Sequence, residues 1–117
     1  MRIHYLKIIG SKTEADLISW VNSITETPIT GFGDEQFATG KLLIKLAASI
    51  EPRIVNWELV TEGGTDDDRM MNAKYAISIA RKLGATIFCV WEDIPKLNKK
   101  MILIFVCSLY DLKHNIQ

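Results

Sequence analysis

Three consecutive aspartates, Asp66, Asp67 and Asp68, form the densest group of potential metal ligands in the sequence. A calcium loop alternates its carboxylate ligands with other residues and closes on a glutamate, and this run does neither. Because neighbouring residues on a helix point in different directions, the three carboxylates would not converge on one cation. Thr65 lies three residues before Asp68, at the spacing of a helix cap. We therefore predict no metal site and interpret the run as the acidic first turn of a helix, where the helix dipole favours negative charge.

Two other short motifs could serve a ligand or a substrate. The glycine pair Gly63 and Gly64 precedes a helix start, where phosphate can bind, but the lysine-containing pattern of nucleotide-binding loops is missing. Glu92 and Asp93 are adjacent carboxylates, and neighbours in sequence rarely converge on one substrate. We interpret both motifs as turns, the second ending at Pro95, and we predict no cofactor.

Nucleophilic catalysis is not indicated by the histidines and cysteines. His4 and His114 lie near opposite ends of the sequence, so a triad built on either is improbable. Cys89 and Cys107 each lie in an apolar stretch, which is typical of buried thiols that behave as small hydrophobic side chains. We predict no catalytic residue, and a binding module rather than an enzyme.

The composition fits one globular domain. The 117 residues are 48% hydrophobic and 24% charged, and the formal net charge is zero. A balanced charge does not suit nucleic acid, which requires a basic surface. The longest apolar run, residues 101–109, is too short to span a bilayer, and the N-terminus has no recognisable secretory signal. We therefore expect a cytoplasmic protein with neither a nucleic-acid nor a membrane partner.

Helical periodicity marks four segments that must position any binding surface. The first begins within residues 11–14, where Ser11 and Glu14 have the spacing of a capping box. It ends before the loop that contains Pro28 and Gly31. Its apolar stripe has the spacing i, i+3, i+4, i+7. The stripe consists of Leu17, Trp20, Val21 and Ile24.

The other three segments have clear boundaries. One covers residues 37–50 and stops before Pro52. The next begins after the cap Thr65 and ends at Gly84, a natural left-handed stop. The last covers residues 98–112 and is apolar almost all round, so we expect it to be the most buried helix.

The three tryptophans and two further apolar stretches complete the pattern. Trp20 and Trp57 lie in packing contexts and are expected in the core, whereas Trp91 is expected to be partly exposed. Residues 3–9 and 87–91 each resemble a β-strand. The residues alone therefore leave an α/β fold open beside an all-α fold.

Several spaced motifs resemble a calponin-homology domain, and together they are most similar to the fourth, last such domain of the fimbrin (plastin) family. They are ASIEP at 48–52, VNWELV at 55–60, TDDD at 65–68, NAKYAISIARKLGA at 72–85, WEDI at 91–94 and NKKMIL at 98–103. The resemblance implies an all-α fold of four main helices plus short connecting helices. It implies that residues 87–91 are an irregular connector, that residues 1–10 remain from a preceding domain, and that residues 11–117 form the domain itself.

The resemblance also implies a function, namely binding to filamentous actin within a cross-linking protein of the actin cytoskeleton. A neighbouring calponin-homology domain of the same longer chain would be the second partner. The alternative is a calponin-homology domain that contacts microtubules or signalling proteins, because a fold does not fix a function.

By analogy with this family, actin contacts would come from the exposed face of the first helix and from the N-terminal segment. A small basic cluster before the last helix is a further candidate on grounds of charge. Long-range attraction would draw such a cluster to acidic actin. The candidates are Lys12, Asp16, Ser19, Asn22, Ser23, Lys96, Lys99 and Lys100.

Overall fold

A computed structural model describes residues 13–114, and within this range the protein is all-α. The four helices are α1 (Glu14–Asn22), α2 (Lys41–Ile50), α3 (Asp66–Leu83) and α4 (Lys99–Lys113). Four short 3-10 helices, Glu35–Phe37, Pro52–Ile54, Trp57–Leu59 and Trp91–Asp93, lie in the connections. The described residues contain no strand, so the all-α prediction is confirmed and the α/β alternative is wrong.

The N-cap of helix α1 lies two residues after the predicted cap, Ser11. Thr13 is the N-cap, and its hydroxyl accepts a hydrogen bond from the backbone N–H of Asp16 at 3.1 Å. The carboxylate of Asp16 accepts one in return from the N–H of Thr13 at 3.0 Å. The predicted capping box of Ser11 with Glu14 is therefore wrong, because Thr13 has the extended backbone of a cap and Glu14 is already helical. Ser11 itself lies outside the described residues.

Helix α2 is shorter than its periodicity predicts. Gly40 has φ +80°, a left-handed conformation that separates α2 from the 3-10 helix Glu35–Phe37. The helical stripe therefore starts at Lys41 rather than at Phe37. The absence of a side chain also lets Gly40 approach α3 closely, because a Cβ there would lie 2.8 Å from Cβ of Asn72.

Helices α3 and α4 begin and end close to the predicted positions. The hydroxyl of Thr65 caps α3 by accepting from the N–H of Asp68 at 3.1 Å, and Gly84 ends the helix with φ +102°. Asn98 caps α4, which has seven buried residues, more than any other helix of residues 13–114. No helix in residues 13–114 is both long and apolar enough to cross a bilayer.

The core lies between α2, α3 and α4, with α1 packed against α4. Trp20 belongs to this core, as expected, and its ring meets the ring of Tyr110 edge-on at 5.8 Å between centroids. The expectation for Trp57 is wrong, because half of this residue, 50%, is exposed on the 3-10 helix Trp57–Leu59. Trp91 is partly exposed, as expected.

The connector between α3 and α4 explains the strand-like pattern at residues 87–91. Ile87 and Cys89 point into the core, while Phe88 and Val90 are about half-exposed. The segment is extended but has no strand partner within residues 13–114. Period-two alternation therefore arises here because one side of a single chain faces the helices and the other faces solvent.

Candidate binding surface

A groove of about 730 Å³ lies where the start of α1, the loop at residues 30–34 and the start of α4 meet. Helix α1 contributes Glu14, and α4 contributes Lys99, Lys100 and Leu103. The loop contributes Thr30, Gly31, Phe32, Gly33 and Asp34. The fold thus places two predicted contact lysines beside the beginning of the first helix.

The side chain of Lys99 crosses the loop over Gly33. A Cβ added at Gly33 would lie 2.5 Å from Cε of Lys99 and 3.0 Å from its Cγ, so the glycine leaves room for the aliphatic stem. Lys99 and Lys100 occupy the first turn of α4, where the helix dipole disfavours positive charge by about 0.3–1 kcal/mol per residue. Helix stability therefore does not account for lysines at these two positions.

Lys96 lies apart from the other two lysines of the predicted basic cluster. It lines a second groove of about 350 Å³, together with Asp66, Arg69, Trp91, Glu92 and Pro95. The ring of Trp91 in this groove lies under the ammonium of Lys74, at 5.8 Å from the ring centroid. The single cluster of three lysines is thus divided between two grooves, since Lys96 lies in the turn at residues 94–97 and the other two lysines begin α4.

Four of the predicted contacts lie on α1 or at its C-cap, and three of these make hydrogen bonds within the domain. The amide of Asn22 accepts from the N–H of Ile29 at 2.8 Å and donates to its carbonyl at 3.1 Å. The hydroxyl of Ser23 donates to the carbonyl of Trp20 at 2.6 Å. Asp16 caps the helix, and Ser19 is exposed. Lys12, the remaining candidate, lies outside the described residues.

The loop residues of the groove were missed by reasoning from the sequence. Phe32 anchors the loop, because it is buried and its ring stacks on Phe37 with 6.0 Å between centroids. Asp34 ends the loop by accepting from the N–H of Gln36 at 2.9 Å. The signal was a lone phenylalanine between Gly31 and Gly33, a short apolar anchor in a polar loop.

A buried asparagine, also missed as an organising residue, links three elements of the domain. Asn72 on α3 accepts from the N–H of Thr61 at 2.8 Å. Its amide donates to the carbonyls of Thr39 at 2.8 Å and Thr61 at 3.1 Å. These bonds hold the approach to α2 and the segment at residues 56–61 against α3, and Asn72 is fully buried.

The described residues can be assessed for metal binding, for thiol reactivity and for recognition by charge. No group of three or more metal-ligating side chains occurs among residues 13–114. Burial, with a smaller contribution from the nearby charge of Asp93, raises the pKa of the Cys89 thiol to about 11, so it is a poor nucleophile. The lysines and carboxylates around the larger groove are suited to recognition by charge and shape.

The sequence and the fold resemble those of known proteins. The calponin homology (CH) domain pattern matches residues 11–115. The chain is 38% identical to Fimbrin-3 of Arabidopsis thaliana over 93% of its own length and 17% of the relative. It is 36% identical to Plastin-3 of Danio rerio over 86% of its own length and 17% of the relative. The chain therefore spans about a sixth of these curated relatives.

One solved structure resembles the fold closely. The crystal structure of the actin-crosslinking core of Schizosaccharomyces pombe fimbrin matches with a TM-score of 0.81 and 35% identity. The match covers 92% of this chain and 24% of that chain.

Proposed function

The chain belongs to the calponin homology (CH) domain family, and from this premise we propose that it is an actin-filament-binding module of a cross-linking protein of the fimbrin and plastin type. The observation that carries the proposal is the match of nearly the whole domain to part of a fimbrin actin-crosslinking core, at 35% identity. The proposal excludes catalysis as the domain's role and places the protein in the cytoplasm, on the actin cytoskeleton.

The finer assignment is to the fourth CH domain of such a protein. The sequence motifs resemble that domain most closely, and the match covers 24% of the solved core, so a chain of that length has room for four such units. Under this assignment residues 1–10 are the remnant of a linker from the preceding domain, and residues 11–117 are the CH domain. The preceding CH domain is then the neighbouring partner within the same chain.

We place the filament contact on the larger groove and the adjoining face of α1. Lys99 and Lys100 supply positive charge at the groove, although the dipole of α4 disfavours positive charge at this end of the helix. Asp16 and Ser19 extend this surface along α1, with Lys12 before them in sequence. Lys96 contributes at the edge, from the second groove. Asn22 and Ser23 shape the surface through their internal hydrogen bonds.

Cross-linking needs two separated filament-binding units on one chain and no catalytic group. Two domains that bind the same filament together gain effective concentration, which raises avidity by roughly 10²–10⁴-fold when the geometry permits. An isolated domain lacks that gain. We therefore expect the 117-residue chain alone to bind filaments weakly, and to act mainly by completing and orienting its neighbour.

Cosedimentation with filamentous actin tests the proposal. The double substitution Lys99→Glu/Lys100→Glu, made in a chain that includes the preceding CH domain, should weaken binding and reduce its dependence on salt, because it removes attraction to acidic actin. The matched control is Lys45→Glu/Lys82→Glu, an equal charge change at exposed lysines of α2 and α3 away from the groove.

Two results would contradict the two finer parts of the proposal, the dependence on a neighbour and the placement of the contact on the groove. Tight, saturable binding by the isolated 117 residues would show that the domain needs no neighbour. Equal losses in the two double variants would show that only total charge matters and would remove the groove from consideration.

A further inference from the structure

Three large apolar side chains are exposed on the side of the domain where residues 56–61 cross α3. Trp57 is 50% exposed, Leu59 is 55% exposed and Met71 is 52% exposed. We refer to these three residues as the apolar patch. Single exposed apolar residues are common on protein surfaces, whereas a contiguous group marks an interaction site.

Hydrogen bonds fix the two parts of the apolar patch beside each other. The N–H of Asn56 donates to the Tyr75 hydroxyl at 2.8 Å, and the hydroxyl of Thr61 donates to the Asp68 carbonyl at 2.9 Å. The segment that holds Trp57 and Leu59 is therefore attached to α3 at both ends. Met71 lies between these attachments, three residues after Asp68 and four before Tyr75, so it is a surface neighbour of both.

Acidic residues are concentrated in the segment that carries Trp57 and Leu59 and at the start of α3. From Asn56 to Asp68 the sequence has five acidic residues and no basic residue. Glu58 and Asp67 are exposed: Glu58 lies between Trp57 and Leu59, and Asp67 lies one turn before Met71. Glu62 is paired with Lys41 at 2.8 Å, and Asp66 lines the second groove with Lys96. The exposed Lys74 lies three residues after Met71, so Glu58, Asp67 and Asp68 give this face its acidic excess over Lys74.

We propose that the apolar patch is a docking site for a separate protein that presents an amphipathic helix with lysines or arginines beside its apolar stripe. Aliphatic side chains of that helix would cover Trp57, Leu59 and Met71. Its basic side chains would meet Glu58 and Asp67 at the rim, where complementary charge gives orientation and fast association. A helix is the structure that offers one apolar stripe and two charged flanks on a single face. This site lies outside the surface proposed for actin and does not depend on it.

The test is titration of the 117-residue domain with an 18-residue helical peptide of leucine and lysine, patterned as an amphipathic helix. Tryptophan fluorescence and calorimetry report binding. A peptide of the same pattern with glutamate in place of lysine should bind at least about tenfold more weakly, because the rim repels it. The double variant Leu59→Gln/Met71→Gln should lower affinity for the lysine peptide by about tenfold, as expected for central apolar contacts.

The control variant is Val90→Thr, which removes an equally exposed apolar group from a different part of the surface. It should change affinity less than about twofold. Equal binding of the two peptides would overturn the proposal, and so would an unchanged affinity in the double variant whose circular dichroism shows a native fold. Sedimentation that shows a dimer, lost in the double variant, would assign the patch to a second copy and would also overturn it. The assay contains no actin, so its outcome is independent of the filament test.

Discussion

Removal of the Asn72 side chain should destabilise the domain more than removal of any exposed asparagine. In Asn72→Ala, the N–H of Thr61 and the carbonyls of Thr61 and Thr39 lose their partner inside the structure. Each hydrogen bond contributes about 0.5–1.5 kcal/mol net, so three give about 1.5–4.5 kcal/mol. Domains of this size are stable by about 5–15 kcal/mol, so the variant should still fold.

The matched control is Asn56→Ala. Asn56 is exposed, and its side chain accepts one hydrogen bond, from the N–H of Glu58 at 3.1 Å. Loss of a single cap costs about 0.5–2 kcal/mol, toward the lower end at an exposed site. Urea denaturation followed by tryptophan fluorescence and by circular dichroism at 222 nm gives both free energies of unfolding. A loss in Asn72→Ala no larger than that in Asn56→Ala would refute the reasoning.

The variant Asn72→Asp separates the loss of bonds from the loss of volume. Its carboxylate keeps the acceptor for Thr61 N–H but faces two carbonyl oxygens in a fully buried site. Burial and these oxygens should raise the pKa of the carboxyl in the folded state above its unfolded value. The penalty should therefore be small below the unfolded pKa and should grow as the pH rises to the folded pKa. Denaturation at pH 4.5 and pH 7.5 measures this, and a pH-independent loss would contradict it.

Two further predictions concern the core. Gly40→Ala should lower the free energy of unfolding by about 2 kcal/mol or more, because Gly40 has φ +80° and a Cβ there would lie 2.8 Å from Cβ of Asn72. In the control Gly64→Ala the new Cβ meets nothing within 4 Å, so stability should change by less than about 0.5 kcal/mol. Denaturation midpoints measure both variants, and equal losses would be inconsistent with this geometry. The raised pKa of Cys89, about 11, should make its alkylation by iodoacetamide at pH 8 about a hundredfold slower than that of an ordinary thiol, and stability should fall as the pH rises from the ordinary thiol pKa toward 11. Mass spectrometry of native and urea-unfolded protein reports the labelling, and equally rapid modification of both would show that the thiol is accessible and reactive.

Local sequence signals located the later helices well and the first two less well. Thr65, Gly84 and Asn98 lie at the ends of periodic segments, and each acts as the cap that its side chain or backbone favours. The cap of α1 was misplaced by two residues, because Ser11 and Glu14 have the same spacing as Thr13 and Asp16, the pair that caps the helix. The start of α2 was misplaced because Phe37 and Ala38 continue the apolar pattern in sequence. The left-handed conformation of Gly40 separates these two residues from the helix.

The candidate site illustrates the same division. The three lysines around the start of α4 were predicted as one basic cluster, because their spacing in sequence gave no reason to separate Lys96 from Lys99 and Lys100. Trp57 was expected in the core because its neighbours are apolar, yet the segment that carries it faces α3 with Val60 and leaves Trp57 half-exposed. A short 3-10 helix shows too little periodicity for its buried side to be read from the sequence.

Periodicity and capping residues identified the four main helices of this protein, because apolar spacing and caps act over one or two turns of a single chain. The residues alone left an α/β fold open, and the all-α expectation came from the resemblance to the calponin-homology family. The tertiary structure alone decided which distant residues meet. It brought Lys99 over Gly33, tied Thr39 and Thr61 to Asn72, and left Trp57, Leu59 and Met71 uncovered. Such contacts depend on how helices pack against one another, and packing depends on the shapes of side chains far apart in sequence.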